Sequence, residues 1–326
     1  MGGVRRGAGM RLGQHFLKDK SVLEKIAASV GITYDDIVIE IGPGHGELTE
    51  CLLKYNPKKL IAIERDTELA EELKQKLPTI EILRGDALKI LPELSKTYRV
   101  RPKPACHSVV LWPSVVLTEV ARRRRGAKED NLKPNTYKIV GNIPYYITGK
   151  LLRIIGELKE KPSLTILTIQ KEVAERLCAE PPRRRKGSGG QARRRRPHAA
   201  KAMRGGGSGG QAEMNLLAAS VMFWGEPRII RAVSRKAFSP KPKVESAIIE
   251  IVSHETDRSE EESAKYYGFI KALFKQPRKT ISNNLTDGSN YTKAEVEKFL
   301  ISHGVEPKLR PQNLDIDTIN NLSQSF

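Results

Sequence analysis

Short apolar runs alternate with helix-like stretches along the first half of the chain. Five runs have the length and composition of buried strands, at residues 37–41, 60–63, 80–83, 137–140 and 164–169. Residues 48–53 and 69–77, between the early runs, carry apolar side chains at helical spacing. Buried strands that alternate with helices are typical of a parallel sheet covered by helices. The sequence therefore predicts an α/β fold.

The second half of the chain continues this pattern and then changes. Helix-like stretches at 171–178 and 214–223 precede two strand-like runs, 229–233 and 246–252, which predict an antiparallel pair at the sheet edge. Four further helical patterns follow, at 266–274, 280–285, 293–303 and 317–322. Thr292 and Glu295 fit a capping box at the start of the third. We expect a basic tail over residues 1–12, a sheet domain over 13–253 and a small all-helical domain over 254–326.

Composition excludes several classes of protein. Hydrophobic residues make up 39% of the chain, enough for a packed core, which excludes disordered and collagen-like chains. The chain has no run of eighteen apolar residues and begins without the apolar stretch of a signal peptide, so neither a membrane span nor secretion is predicted. Cys51, Cys106 and Cys178 lack the spacing of a zinc site, so reduced thiols and no metal are expected.

The formal net charge of +19 is unevenly distributed. Residues 1–12, 97–136 and 181–212 contribute +3, +6 and +10, and the rest of the chain is neutral. A basic balance favours a nucleic-acid partner. The excess nevertheless lies outside the predicted strands and helices, so it does not by itself identify a binding surface.

A glycine-rich loop, EIGPGHGELT, follows the first predicted strand. Gly42 and Gly44 lie between strand and helix, where the missing Cβ atoms let the backbone approach a ligand. The second strand ends at Glu64, which can accept from both hydroxyls of an adenosine ribose; the alternative is a solvated helix cap. Asp86, after the third strand, can accept from an adenine amino group or simply belong to a turn. A dinucleotide site competes with this interpretation.

The tetrapeptide Asn142-Ile143-Pro144-Tyr145 follows the fourth strand and indicates methylation of a planar exocyclic amine. The lone pair of the adenine amine is delocalised into the ring, so the amine is a poor nucleophile. Asn142 Oδ1 and the Ile143 carbonyl can accept its two hydrogens and draw the nitrogen toward tetrahedral geometry. Tyr145 can stack on the base, which is worth ~1–3 kcal/mol. The alternative is a turn in which Pro144 merely ends the strand.

With these motifs in place, the chain resembles the ribosomal RNA adenine dimethyltransferases of the KsgA type. GQHFL, EIGPGHGELT, IAIE, GDAL, NIPYYIT and FSPKPKVESA occur in the order found in that family. The resemblance implies a Rossmann-like sheet that uses S-adenosyl-L-methionine and a helical C-terminal domain that binds rRNA. It also implies a substrate: two adjacent adenosines in the 3′-terminal hairpin loop of small-subunit rRNA, dimethylated within an assembling subunit. A cytoplasmic, monomeric enzyme is expected.

The resemblance also assigns roles to single residues. Asn142 would contact both the cofactor and the target, and Phe238 would close over the flipped adenine opposite Tyr145, unless it is only a core aromatic. Many relatives have Asn where His15 stands. The cofactor site is expected to comprise Gln14, His15, Leu17, Gly42, Gly44, Glu64, Arg65, Asp86, Ala87 and Asn142.

A stacked adenine cannot present its amine to a buried methyl donor, so the nucleotide must be extruded and its phosphates held by cations. Residues 228–243 contain six basic residues and no acidic one, and a second basic group precedes the C-terminal helices. The alternative is a solvated charged face. The predicted RNA-binding residues are Arg228, Arg231, Arg235, Lys236, Lys241, Lys243, Arg278 and Lys279.

The basic insertions at 97–136 and 181–212 separate these motifs. The second repeats GSGGQA and is rich in glycine and arginine, so a flexible loop is expected. Both are either rRNA-binding arms that order on RNA or tolerated surface insertions, since lengthening a loop costs little.

Three other functions compete with the leading one. A large-subunit rRNA methyltransferase of the macrolide-resistance type shares the NIPY motif, and a mainly non-catalytic assembly factor would bind the immature subunit. A nicotinamide oxidoreductase would share the glycine loop but has no use for NIPYY.

Overall fold

The computed structural model describes residues 15–97, 137–178, 213–254 and 258–326. Its strands are β1 (Phe16–Leu17), β2 (Ile37–Ile41), β3 (Lys59–Glu64), β4 (Glu81–Arg84), β5 (Tyr137–Asn142), β6 (Leu164–Gln170), β7 (Gly225–Val233), β8 (Phe238–Ser239) and β9 (Ser246–Ser253). Its helices are α1 (Lys20–Ser29), α2 (Glu47–Leu53), α3 (Thr67–Lys76), α4 (Ala87–Ser95), α5 (Thr148–Glu157), α6 (Lys171–Leu177), α7 (Leu216–Met222), α8 (Glu260–Leu273), α9 (Ile281–Asp287), α10 (Lys293–Ser302) and α11 (Ile316–Ser325).

The main sheet has the strand order β4-β3-β2-β5-β6-β9-β7. The first five of these strands are parallel, whereas β9 runs antiparallel to β6 and β7 antiparallel to β9. The chain passes from β2 outward to β3 and β4, then returns to β5 on the other side of β2. The carboxyl ends of β2 and β5 therefore border the crevice in which open α/β sheets bind ligands. Both the α/β fold and the antiparallel edge pair are confirmed.

Two apolar cores cover the faces of this sheet. Strand β2 is buried along its whole length, and its side chains alternate between the cores, as the pleat of a strand requires. Ile39 packs in the core on one face and Val38 in the core on the other. Because both faces are covered, β2 is rigidly held and its carboxyl end is a fixed platform for the residues that follow.

A buried ion pair ties the amino ends of β2 and β5 to the end of α1. Lys138 Nζ lies 2.9 Å from Asp36 Oδ2 and also donates to the carbonyl oxygens of Val30 and Gly31, at 3.0 and 2.7 Å. Burial raises the pKa of Asp36, but the hydrogen bonds from Lys138 and Thr33 outweigh it and hold this pKa below its ordinary value. All three ammonium hydrogens therefore have acceptors in a site sheltered from water.

The C-terminal helices α8 to α11 form a third core, which is shared with α7. Met214 and Phe223, which flank α7, pack in that core. The Phe223 ring stacks on Tyr266 of α8 with the centroids 3.8 Å apart. The predicted capping box of Thr292 and Glu295 is present at the start of α10. Helices thus follow the sheet at the C-terminus, as the sequence predicts.

The helical patterns predicted at 48–53, 69–77 and 171–178 are observed as α2, α3 and α6. Helices α1, α4 and α5 were not predicted. The basic tail and nearly all of the two insertions lie outside the described residues, as does Cys106. No helix among the described residues is long and apolar enough to cross a membrane.

Candidate active site

A cavity opens at the carboxyl ends of β2, β3, β4 and β5, where the sequence motifs meet. The short segment before β1 closes one side of it, and the turn Tyr145–Ile147 with the start of α5 closes another. Its lining combines backbone from the glycine loop, acidic side chains and aromatic rings. The lining residues are His15, Phe16, Ile41, Gly42, Gly44, Ile63, Glu64, Arg65, Gly85, Asp86, Ala87, Leu88, Asn142, Ile143, Pro144, Tyr145, Tyr146, Ile147 and Lys150.

The glycine loop is held in place by the buried carboxylate of Glu64. Glu64 Oε2 accepts from the Gly44 N–H at 3.1 Å and Oε1 accepts from the Asp66 N–H at 2.9 Å. Glu64 is only 3% exposed, and burial raises its pKa although these backbone hydrogen bonds oppose the shift. The residue is therefore not a solvated helix cap. Asp66, two residues on, caps α3 instead.

Gly44 fits its position because both its backbone and its surroundings exclude a side chain. Its φ is +58°, and a Cβ atom would lie 2.9 Å from the ring of Phe16. Left-handed backbone disfavours residues with a Cβ. The loop can therefore press against the Phe16 ring and line the cavity with backbone, as the sequence predicts for a ligand cradle.

Asp86 both caps a helix and lines the cavity. Its Oδ1 accepts from the Leu88 N–H at 3.0 Å at the start of α4. The predicted turn role and the predicted place beside the ligand are therefore compatible, since a carboxylate has acceptor capacity beyond one hydrogen bond. Arg65 and Ala87 line the same cavity.

Asn142 ends β5 with its amide fixed in one orientation. Its Nδ2 donates to the His15 carbonyl oxygen at 2.8 Å. A carbonyl can only accept, so the nitrogen must be on that side and Oδ1 on the other. Oδ1 forms no hydrogen bond with any described residue, and Asn142 lines the cavity. This leaves an acceptor available to a ligand.

The loop between β8 and β9 is joined to the cavity at both of its ends. His15 Nδ1 is 2.8 Å from the Pro240 carbonyl oxygen, and the Tyr145 hydroxyl is 2.6 Å from Ser246 Oγ. Burial raises the pKa of Tyr145, and its hydrogen bond with Ser246 opposes this shift. The Tyr145 ring is tilted against that of His15 with 5.9 Å between centroids. The loop that carries Lys241 and Lys243 therefore borders the site.

Two predicted site residues are not brought into the cavity. Leu17 and Phe238 face each other across the β1–β8 pair, are 3% and 5% exposed, and pack in the core that contains Val38. Because alternate side chains of a strand point to opposite sides, Phe16 rather than Leu17 lines the cavity. Gln14 lies outside the described residues. The roles of Leu17 and Phe238 toward cofactor and target stay predictions.

The predicted RNA-binding cations are exposed on the surface rather than in the cavity. Arg228 pairs with Glu250 of the neighbouring strand, and Lys279 Nζ lies 3.1 Å from Asp287 Oδ2. Arg231, Arg235, Lys236, Lys241, Lys243 and Arg278 form no ion pair with a described residue. Arg278 and Lys279 lie in the connection between α8 and α9, and neither lines the cavity.

Sequence reasoning missed seven lining side chains: Phe16, Ile41, Ile63, Leu88, Tyr146, Ile147 and Lys150. No local signal distinguishes Phe16 from Leu17, because β1 has only two residues and their side chains point to opposite sides. Tyr146, Ile147 and Lys150 come after NIPY, on the turn Tyr145–Ile147 and the start of α5, which were not predicted.

The parallel sheet with a reversed edge, the glycine loop after β2, the acidic residues after β3 and β4, and the oriented Asn142 define a Rossmann-like methyltransferase. The sequence model of the family described as ribosomal RNA adenine dimethylase matches residues 7–191 and 201–326. The chain therefore belongs to the ribosomal RNA adenine dimethylase family, an S-adenosylmethionine-dependent family of enzymes that act on rRNA.

Individual relatives agree with this family. Ribosomal RNA small subunit methyltransferase A of Dehalococcoides mccartyi (strain CBDB1) is 31% identical over 94% of this chain and 84% of its own length. The protein of the same name from Caldanaerobacter subterraneus subsp. tengcongensis is 29% identical over 96% of this chain and 95% of its own.

Two solved structures share the fold. A dimethyladenosine transferase from Plasmodium falciparum superposes with a TM-score of 0.63 at 22% identity, covering 96% of this chain and 97% of that one. The 23S rRNA methyltransferase ErmE does so with a TM-score of 0.58 at 21% identity, covering 95% and 98%. At these identities the likeness establishes the architecture alone.

Proposed function

We propose that this protein transfers two methyl groups to the exocyclic amine of each of two adjacent adenosines in the 3′-terminal hairpin loop of small-subunit rRNA. The substrate is the rRNA within an assembling small subunit, and the enzyme acts as a cytoplasmic monomer. The observation that carries this proposal is the fixed amide of Asn142, which gives the cavity an acceptor for an N–H donor. The names of the small-subunit relatives support the choice of subunit.

The cavity fits S-adenosylmethionine by the chemistry of its lining. The backbone at Gly42 and Gly44 leaves room for the methionine part, and Glu64 keeps lone pairs for the ribose hydroxyls after its two backbone hydrogen bonds. Asp86 can accept from the adenine amino group. When bound, the cofactor supplies an electrophilic methyl group on sulfur.

The chain's own residues then act on the target amine. Asn142 Oδ1 and the Ile143 carbonyl accept its two hydrogens, which localises the lone pair on nitrogen and directs it toward the methyl donor. The Tyr145 ring stacks on the extruded base, held in place by the bond of its hydroxyl to Ser246. The methylated ammonium is strongly acidic, so no general base is required.

Phosphate contacts come from the loop that borders the cavity. Lys241 and Lys243 are exposed on this loop, whose ends are joined to His15 and Tyr145. Arg231, Arg235 and Lys236 extend the same basic surface along β7 and the turn before β8. The connection between α8 and α9, with Arg278 and Lys279, provides the second rRNA contact.

The test is to incubate the protein with undermodified small subunits and labelled S-adenosylmethionine and to map the label. We expect two dimethylated adenosines in the terminal hairpin loop. Asn142→Ala should abolish transfer while weakening cofactor binding only slightly, and Lys74→Gln, on the outer face of α3, should behave as the wild type. Label on large-subunit RNA would favour the macrolide-resistance alternative, and subunit binding without any label would favour the assembly factor.

A further inference from the structure

Tyr146 presents a large aromatic ring to solvent at the mouth of the cavity. It is 60% exposed, whereas its neighbour Tyr145 is half-buried and bonded to Ser246. The Tyr146 hydroxyl forms no hydrogen bond with a described residue. A ring so exposed contributes little to the core, because hydrophobic stabilisation scales with the area removed from water. The described fold therefore gives no packing reason for an aromatic residue here.

Lys150 supplies a positive charge at the same mouth. It lines the cavity, is exposed, and forms no ion pair with a described residue. Gly149 is exposed between the turn and Lys150, and open space lies where its Cβ would be. The mouth thus combines an aromatic face, a cation and free space for a polymer chain, which is the combination that proteins use to bind single-stranded nucleic acid.

We propose that Tyr146 and Lys150 bind the nucleotide next to the target adenosine, Tyr146 by stacking on its base and Lys150 by pairing with a phosphate. This inference rests on the proposed function. When the target base is extruded, the adjacent base loses a stacking partner and one of its two faces becomes exposed. Tyr146 lies one residue beyond the ring that stacks on the target, so it can cover that face. A purine offers more stacking area than a pyrimidine, so Tyr146 selects for a purine neighbour.

The first experiment compares RNA kinetics of variants on undermodified small subunits. Tyr146→Ala should raise KM for the subunit roughly 5- to 150-fold, the loss expected for one base–aromatic stack, with an unchanged Kd for S-adenosylmethionine. Tyr146→Phe keeps the ring and should stay near the wild type. Tyr34→Ala is the matched control, because Tyr34 is 71% exposed and lies outside the cavity.

The second experiment changes the substrate. The wild type should methylate the target more slowly when its neighbour is replaced by uridine or an abasic nucleotide, and Tyr146→Ala should lose this dependence. If Tyr146 had a purely structural role, Tyr146→Ala would lower the methylation rates on the natural and the changed substrate alike and leave the ratio of these two rates as it is in the wild type. Lys150→Gln should weaken subunit binding and reduce the slope of log affinity against log salt by about 1, whereas Lys74→Gln should not.

Two results would overturn the inference alone: a wild type indifferent to the neighbouring base, or a Tyr146→Ala variant with the kinetics of Tyr34→Ala. Either result would be obtained while the wild-type protein methylates the small subunit, so it would leave the proposed function intact. A wild type that transfers no methyl to small-subunit RNA would instead overturn the proposed function, and this inference with it.

Discussion

Asn142→Asp tests the orientation on which the proposed chemistry depends. The substitution replaces Nδ2 by an oxygen and leaves an acceptor where Oδ1 stands. The new oxygen would face the His15 carbonyl oxygen, which in the wild type accepts from Asn142 Nδ2 at 2.8 Å. Two acceptors repel each other at this distance, so the side chain must rotate or the segment before β1 must move. The acceptor for the target amine would then no longer be fixed.

The size of the effect follows from the lost hydrogen bond. A partly buried acceptor left without a donor costs ~1–3 kcal/mol, and ~1.4 kcal/mol is a tenfold change in rate. We therefore expect kcat/KM for undermodified subunits to fall roughly 5- to 150-fold. Single-turnover methyl transfer measures this fall, and calorimetry measures cofactor affinity separately. Asn142→Ala, which removes the acceptor as well, should be slower still.

The pH dependence of Asn142→Asp gives a second signature. A protonated carboxyl can donate to the His15 carbonyl and restore the original arrangement. The ratio of variant to wild-type activity should therefore rise as pH falls toward the pKa of the introduced carboxyl, with an ordinary value of about 3.9. A variant as active as the wild type at neutral pH, or a ratio that does not change with pH, would refute the argument.

Three further predictions concern the cradle, the stacking ring and the buried ion pair. Gly44→Ala should raise the Kd for S-adenosylmethionine about tenfold or more in calorimetry, because a left-handed residue with a Cβ costs ~1–2 kcal/mol and the Phe16 ring must also shift. The control is Gly268→Ala on α8, where a Cβ would meet open space, and it should leave this Kd unchanged. Tyr145→Phe should lower kcat/KM no more than about tenfold, since only the bond to Ser246 is lost, whereas Tyr145→Ala should nearly abolish turnover. Lys138→Met should lower the free energy of unfolding by ~3–5 kcal/mol in urea titrations, because it leaves the buried Asp36 carboxylate unpaired. Because the pKa of Asp36 is lowered in the folded protein, this carboxylate stabilises the fold above its ordinary pKa of about 3.9, and the stabilisation is lost as pH falls below that value. Asp36→Asn should therefore lose less of its free energy of unfolding on acidification than the wild type does.

The sheet was predictable because its strands are buried on both faces and bounded by polar or glycine residues. Residues 37–41 were predicted with the observed ends, and the strand at 229–233 was recognised by its C-terminal part only, since β7 begins at Gly225. Helix α4 was missed because Pro92 lies within it, against the ordinary preference of a helix interior. Helix α1 was not predicted although its sequence carries an ordinary signal, Asp19 as cap before Val22 and Ile26.

The site was predictable where a motif fixes a backbone position, and less so where side-chain direction decides. Gly42, Glu64, Asp86 and Asn142 lie at strand ends or within two residues after them, so parallel topology alone brings them to one edge of the sheet. Phe16 and Leu17 are adjacent, and only the pairing of β1 with β8 decides which of them faces the cavity. Such pairing joins residues more than two hundred positions apart, which no local pattern in one sequence reveals.

The same long-range pairing explains why the N-terminal segment matters to the target site. The His15 carbonyl orients Asn142, the His15 ring nitrogen bonds to Pro240, and Tyr145 bonds to Ser246 at the other end of that loop. Three segments distant in sequence thus hold one another through three hydrogen bonds at the cavity. A change in any of them moves the acceptor, the stacking ring and the cationic loop together. Substitutions at His15 should therefore disturb RNA methylation through these hydrogen bonds as well as through the cavity that His15 lines.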